Sequence, residues 1–296
     1  MSRKKASEFH PAVLKLFDQY VHGTLTRRGF LRQASRYAVG GITATALLDS
    51  LTPNFAWAIQ VEESDSRIRA SRVEYPSPSG SATMQGYLVL PSGGAEKLPA
   101  VVVYHENRGL NPYIEDVARR LALEGYMAFA PDALAPHGGY PGDEDKARAM
   151  FAELDQGKTH EDLFAAADFI KNHPRCNGRY GAVGFCYGGG VVNKLAARHT
   201  DLAAAVPFYG PAPTANDALK VSSPLLLHFA GNDDRVNAGW PAFEEILKTN
   251  NVDYQAYFYD GTQHGFHNDT TPRYDEDAAR LAWQRTLEFF KKHLTS

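Results

Sequence analysis

From residue 68 onward the apolar positions follow two alternating rhythms. Residues 68–75 and 83–90 alternate apolar with polar, most clearly in Met84-Gln85-Gly86-Tyr87-Leu88-Val89-Leu90, and Pro76-Ser-Pro-Ser-Gly80-Ser separates them. That pattern predicts an antiparallel hairpin with one wet face. Short continuous apolar runs follow: Pro99-Ala-Val-Val-Val-Tyr104-His105, Tyr126-Met-Ala-Phe-Ala130, Arg179-Tyr180-Gly-Ala-Val183, Leu202 to Tyr209, Pro224 to Ala230 and Tyr254 to Tyr259. Runs of this length and composition suit strands covered on both faces. Between them lie helical patterns at 112–124, 144–155, 160–172, 191–199, 239–250 and 275–293, the first announced by the capping pair Asn111-Pro112. Strands alternating with helices predict an α/β class, with a mostly parallel sheet, helices on both faces and antiparallel strands at one edge. No internal repeat and no linker interrupts residues 59–296, so this part reads as one domain.

The first 58 residues do not share that rhythm. Thr26-Arg27-Arg28-Gly29-Phe30-Leu31-Arg32 is a twin-arginine pattern, followed by the weakly apolar run Tyr37 to Leu48 and by Ala56-Trp57-Ala58, a small-x-small site of the kind signal peptidase cuts. A basic segment, a short apolar segment and a cleavage site in this order predict an export signal over 1–58, read by the twin-arginine translocation machinery. The run is too short and glycine-rich for a comfortable membrane span. The expected destination is the periplasm or the outside of the cell.

Composition narrows the partners. The whole chain has a formal charge of −3, and its first 58 residues hold 8 of the 31 Lys and Arg and 3 of the 34 Asp and Glu, which leaves the remainder at −8. Nothing in that balance offers a basic surface for nucleic acid. Two cysteines cannot form a disulfide framework. Cys176 and Cys186 flank a strand that holds them roughly 20 Å apart at ~3.3 Å per residue. A disulfide needs Cα atoms within ~7 Å, so two free thiols are expected.

The candidate chemistry centres on Gly184-Phe185-Cys186-Tyr187-Gly188-Gly189-Gly190, between a strand and a helix. G-x-C-x-G has the shape of a nucleophile elbow with Cys in place of Ser. Glycines two before and two after let neighbouring backbone crowd the turn, and the helix N-terminus behind the thiol favours its thiolate. The neighbouring phosphate-cradle reading fails, since no Lys-Ser/Thr pair follows and the dinucleotide glycine spacing is not reproduced. An elbow needs a base and an acid, in the chain order nucleophile, acid, His. Gly231-Asn232-Asp233-Asp234-Arg235-Val236 and Asp260-Gly-Thr-Gln-His264-Gly265-Phe266 follow later strands in that order, at the strand ends where open α/β sheets carry their sites. Asp233 is favoured as the acid, with Asp234 left open because sequence does not fix register in a loop. His264 and His267 are three apart in a glycine-containing loop with no further ligand at metal spacing, so neither a metal nor a cofactor is expected.

These motifs together resemble the dienelactone hydrolase family, over most of residues 65–295. The resemblance implies an α/β-hydrolase fold with a Cys nucleophile, and cleavage of a lactone or ester through a Cys186–His264–Asp233 triad and an acyl-enzyme. It also implies a glutamate after the strand preceding the first helix, which Glu106 matches, to accept the proton of a resting thiol once substrate binds. Backbone N–H groups of Tyr187 and Asn107 would then face the oxyanion. The family holds its substrate carboxylate with arginines, one of them four residues after the histidine. Asn268 stands there, so the natural substrate need not be dienelactone; Arg108, Arg148 and Arg273 are the other cations considered. A broad carboxylesterase and a non-catalytic binding protein on the same fold are the competing readings.

Overall fold

The computed structural model describes residues 4–38 and 42–295. Part of the expected apolar leader run, residues 39–41, lies outside them. Eight strands form a single sheet. In chain order these are β1 (Ile68–Ser77), β2 (Ala82–Pro91), β3 (Leu98–Tyr104), β4 (Met127–Pro131), β5 (Cys176–Phe185), β6 (Ala204–Phe208), β7 (Leu225–Ala230) and β8 (Tyr254–Tyr259). Their order across the sheet is β1-β2-β4-β3-β5-β6-β7-β8. β1 and β2 form the predicted hairpin, β2 meets β4 antiparallel, and every later pairing is parallel. This is the α/β-hydrolase fold, as expected.

Helices cover both faces because the central strands are apolar on both. In β3, Ala100, Val102 and Tyr104 point into one apolar cluster while Val101 and Val103 point into another. The helices, in chain order, are α1 (Pro11–Val21), α2 (Arg27–Ala34), α3 (Ala44–Leu51), α4 (Pro112–Leu123), α5 (Glu144–Ala152), α6 (Gln156–Lys171), α7 (Tyr187–Arg198), α8 (Ala215–Ala218), α9 (Asp234–Asn237), α10 (Trp240–Thr249) and α11 (Glu276–Leu294). α5, α6, α7 and α10 supply the first cluster, and α4 and α11 the second. Asn111 caps α4 as predicted, its side chain accepting from Ile114 N, with Pro112 at the first helical position.

The N-terminal segment folds as three helices with an apolar cluster of its own, built from Val13, Leu14, Phe17 and Tyr20 of α1, Phe30 and Ala34 of α2, and Leu47, Leu48 and Leu51 of α3. Arg27 opens α2 and pairs with Asp145 at 2.9 Å, while Arg28 is exposed. No helix among the described residues is long and apolar enough to cross a membrane.

Candidate active site

The elbow sits where β5 turns into α7. Cys186 caps α7 at φ +54° and ψ −110°, in a region that L-residues avoid. Such a conformation costs about 1–3 kcal/mol and is held only where its surroundings dictate it. They do so here through the glycines. A Cβ on Gly184 would fall 2.2 Å from Gly188 O, and one on Gly188 would fall 2.3 Å from Tyr104 O. The backbones of β3, β5 and α7 therefore pass closer together than any side chain allows, and the thiol is left at the carboxyl edge of the sheet.

His264 and Asp233 reach the same edge from the loops after β8 and β7. His264 Nδ1 lies 2.5 Å from Asp233 Oδ2, and both side chains are buried. Asp233 is also the cap of α9, accepting from Val236 N at 3.3 Å. This second bond fixes its direction, whereas Asp234 is exposed. The choice between the two aspartates thus falls to Asp233. With Nδ1 engaged, Nε2 of His264 is the nitrogen left for Cys186; it is buried without a hydrogen-bond partner.

Glu106 follows β3, next to the thiol, and accepts from Asn268 Nδ2 at 2.8 Å. Asn268 Oδ1 accepts in turn from Thr270 N at 3.1 Å and from Thr270 Oγ1. The residue that departs from the family pattern is therefore the one that holds Glu106. Asn107 lines the same cavity, and Tyr187 is the first residue of α7. Of the three arginines considered from sequence, Arg108 and Arg273 line the cavity, and Arg273 Nε and Nη1 have no hydrogen-bond partner. Arg148 does not; it donates to Tyr20 O at 3.0 Å.

The charges are coupled. Burial alone would push the Cys186 thiol up, but the imidazoles of His264 and His22 outweigh it and hold the thiol well below its ordinary value. Burial alone would lower His264; the thiolate and then Asp233 outweigh it and raise the imidazole. Burial and the nearby thiolate push Glu106 up, against Arg273, His264 and Asn268. The arrangement favours a thiolate–imidazolium pair with Glu106 as the group driven toward its protonated form. The family resemblance implied the reverse, a resting thiol with an ionised Glu106. His264 acts most strongly on the sulfur, and a second imidazole adds to it.

That imidazole, His22, is a residue sequence reasoning missed. It follows the last residue of α1 and places Nε2 3.4 Å from Cys186 Sγ, its ring edge-on to His264 at 4.8 Å between centroids. Its Nδ1 contacts Asp18 O at 2.8 Å. A histidine closing an amphipathic helix carries no local signal for a partner 164 positions away.

Cys186, His22 and His264 present their ligand atoms within 4.8 Å of one another, a donor set of zinc type. Arg235 Nη2 lies 3.0 Å from His22 Nε2, however, so that nitrogen already faces a fixed positive charge, and the set does not fit a cation. His267 is turned away into the core, where Nδ1 meets Tyr113 Oη at 2.7 Å. Cys176 opens β5 and Cys186 follows its end; both are free thiols.

Residues 84–294 match the family described as "Dienelactone hydrolase family", and residues 1–39 match a short family described as "YqhI-like". Among curated proteins, the chain is 57% identical over 114 residues to the hydrolase fragment YghX of Escherichia coli (strain K12), covering 38% of this chain and 97% of that one. It is 30% identical over 250 residues to a Saccharolobus solfataricus protein whose name places it with the carboxymethylenebutenolidases, covering 72% and 96%. Among solved structures, a Klebsiella pneumoniae protein assigned as a dienelactone hydrolase superposes with a TM-score of 0.66 at 26% identity, over 76% of this chain and 99% of that one.

Proposed function

The chain belongs to the dienelactone hydrolase family and is a carboxylic ester hydrolase, and on that footing we propose that it cleaves its ester or lactone through Cys186 as nucleophile, with His264 and Asp233 as base and orienting acid. The observation that carries this reading is the line Asp233–His264 at 2.5 Å, ending in a free imidazole nitrogen beside a thiol held at a strained helix cap. In the first half-reaction the Cys186 thiolate attacks the carbonyl carbon. The negative oxygen that forms is stabilised by the N–H groups of Tyr187 and Asn107, and His264 gives its proton to the leaving alkoxide. In the second, water loses a proton to His264 and attacks the thioester, which releases the acid and restores the thiolate. Glu106, raised by burial and by the thiolate, stands beside this exchange with Asn268 holding its carboxyl in place.

Arg108 and Arg273 suit a substrate with a carboxylate near its lactone, in place of the arginine that Asn268 replaces. We also propose that residues 1–58 export the protein by the twin-arginine route, on the strength of the Arg27-Arg28 pattern and the Ala56-Trp57-Ala58 site. The test of the chemistry is hydrolysis of an aryl acetate and of an unsaturated carboxylated lactone, with Cys186→Ala alongside. The substitution is expected to lower turnover by about three orders of magnitude or more, as for loss of a triad nucleophile. Parental turnover in the alanine variant would remove Cys186 from the mechanism.

A further inference from the structure

We propose that the N-terminal helices α1–α3 are an intramolecular plug on the active site, which must leave before an ester can enter. The consequence for turnover rests on the reading of Cys186 as nucleophile; the occlusion rests on contacts alone. Cys186 and His264 are 6% and 5% exposed. The free space beside the thiol is about 30 Å³, room for a water or two and far short of the several hundred Å³ that small-molecule sites offer. The wall that closes it is made by Phe17, Tyr20, Val21, Thr52 and Pro53, all from the N-terminal segment.

The segment meets the reactive groups one by one. His22 Nε2 stands at the sulfur, where a substrate carbonyl would have to approach. Val21 O accepts from Asn107 Nδ2 at 3.0 Å and from Arg108 Nη1 at 3.4 Å, so a backbone carbonyl occupies the place beside the oxyanion loop. Asp18 lies 3.8 Å from Arg273 and 3.9 Å from Arg235, and so sets a carboxylate of the chain against the cations that line the site. A carbonyl, a carboxylate and a hydrogen-bonding ring are the groups an ester substrate with an acid function would present. The plug imitates its chemistry.

The segment is also built to separate. The buried apolar residues of α1–α3 form their own cluster, distinct from the two that hold the sheet. Among the described residues, its one backbone–backbone hydrogen bond to the rest of the protein is Asn54 N to Thr270 O. A cavity of about 480 Å³ opens between α1 and the Asp233 loop, so the seam is loosely packed. The tight anchoring begins just after the small-x-small site: Gln60 N and Val61 N donate to buried Asp116, at 3.2 and 2.8 Å.

The experiment compares the full chain with two full-length variants that unseat α1 by independent routes, Phe17→Asp/Asp18→Arg and Asp145→Arg. The second breaks the contacts of Asp145 with Arg27 and Tyr20. Alkylation by iodoacetamide is followed separately at each cysteine by mass spectrometry, with buried Cys176 as the internal marker of global unfolding. Local opening sets the rate at a covered site, so Cys186 is expected to react at least about tenfold faster in the variants while Cys176 stays protected. Aryl acetate turnover is expected to rise in parallel. A Cys186 rate equal to the parent's in both variants, or one that rises only in step with Cys176, overturns the plug. Full turnover by Cys186→Ala would instead overturn the nucleophile, and the alkylation ratio would still decide the plug.

Discussion

Cys186 carries three demands at one residue: a φ of +54°, a place at the first turn of a helix, and two imidazoles around its sulfur. The first costs energy and the other two recover it as charge stabilisation. A thiol lowered in the folded protein and an imidazole raised beside it ionise as a pair across the interval between their two values, so the thiolate is present through neutral pH. A free thiol near pKa 8.5 would react about 25-fold faster at pH 9 than at pH 7. Alkylation of Cys186, measured in the unseated Phe17→Asp/Asp18→Arg variant, is expected to change by less than about threefold over that range, because His264 alone holds the pair once His22 has left. A full 25-fold rise would show that the thiol is not paired. The titratable and charged groups around this balance are His264, His22, Glu106, Asp18, Asp233, Arg108, Tyr209, Arg235 and Arg273. Asn268 shows the limit of reading one position against a family pattern: it is not a weakened arginine but the donor that holds Glu106.

At the scale of elements, α7 is seated by absence of side chains. Gly188 passes Tyr104 O, and Gly189 passes Phe208 O, so the helix start is clamped between β3 and β6. Gly188→Ala would drive a methyl to 2.3 Å from a backbone oxygen that cannot move without disturbing the central strand. The expected result is a loss of about 1–3 kcal/mol or more, a melting temperature lower by several degrees and loss of turnover as the thiol shifts. A variant with parental melting temperature and turnover would show that the turn has slack. Helix and strand positions were legible in the sequence because their periods are local. The strands came within one to three residues of their observed limits. The end of α5 and the start of α6 were not: they were expected at 155 and 160 and fall at Ala152 and Gln156, where Asp155 caps α6 from inside a polar stretch. The short α8 and α9 also escaped notice: four residues are too few to show a period.

At the scale of the molecule, the parallel sheet brings together loops more than 150 residues apart in the chain, and the N-terminal helices close over the edge they share. If the twin-arginine pair is the export signal, Arg27→Lys/Arg28→Lys is expected to keep the protein in the cytoplasmic fraction; an unchanged periplasmic yield would reject it. In the folded chain Arg27 is already engaged by Asp145, so a twin-arginine receptor would have to break that pair to reach it. The sequence by itself determined the class of fold, the order of Cys186, Asp233 and His264 along the chain, and the glycine turn around Cys186. Each of these is written in local periodicity or in chain order, which survive without coordinates. Only the tertiary structure decided that Asp233 and not Asp234 meets His264, that Asn268 holds Glu106, and that His22 stands against Cys186. Those are pairings between distant loops, and a contact across 31, 162 or 164 positions is set by how the sheet and its covering helices pack, not by anything the neighbouring residues spell out.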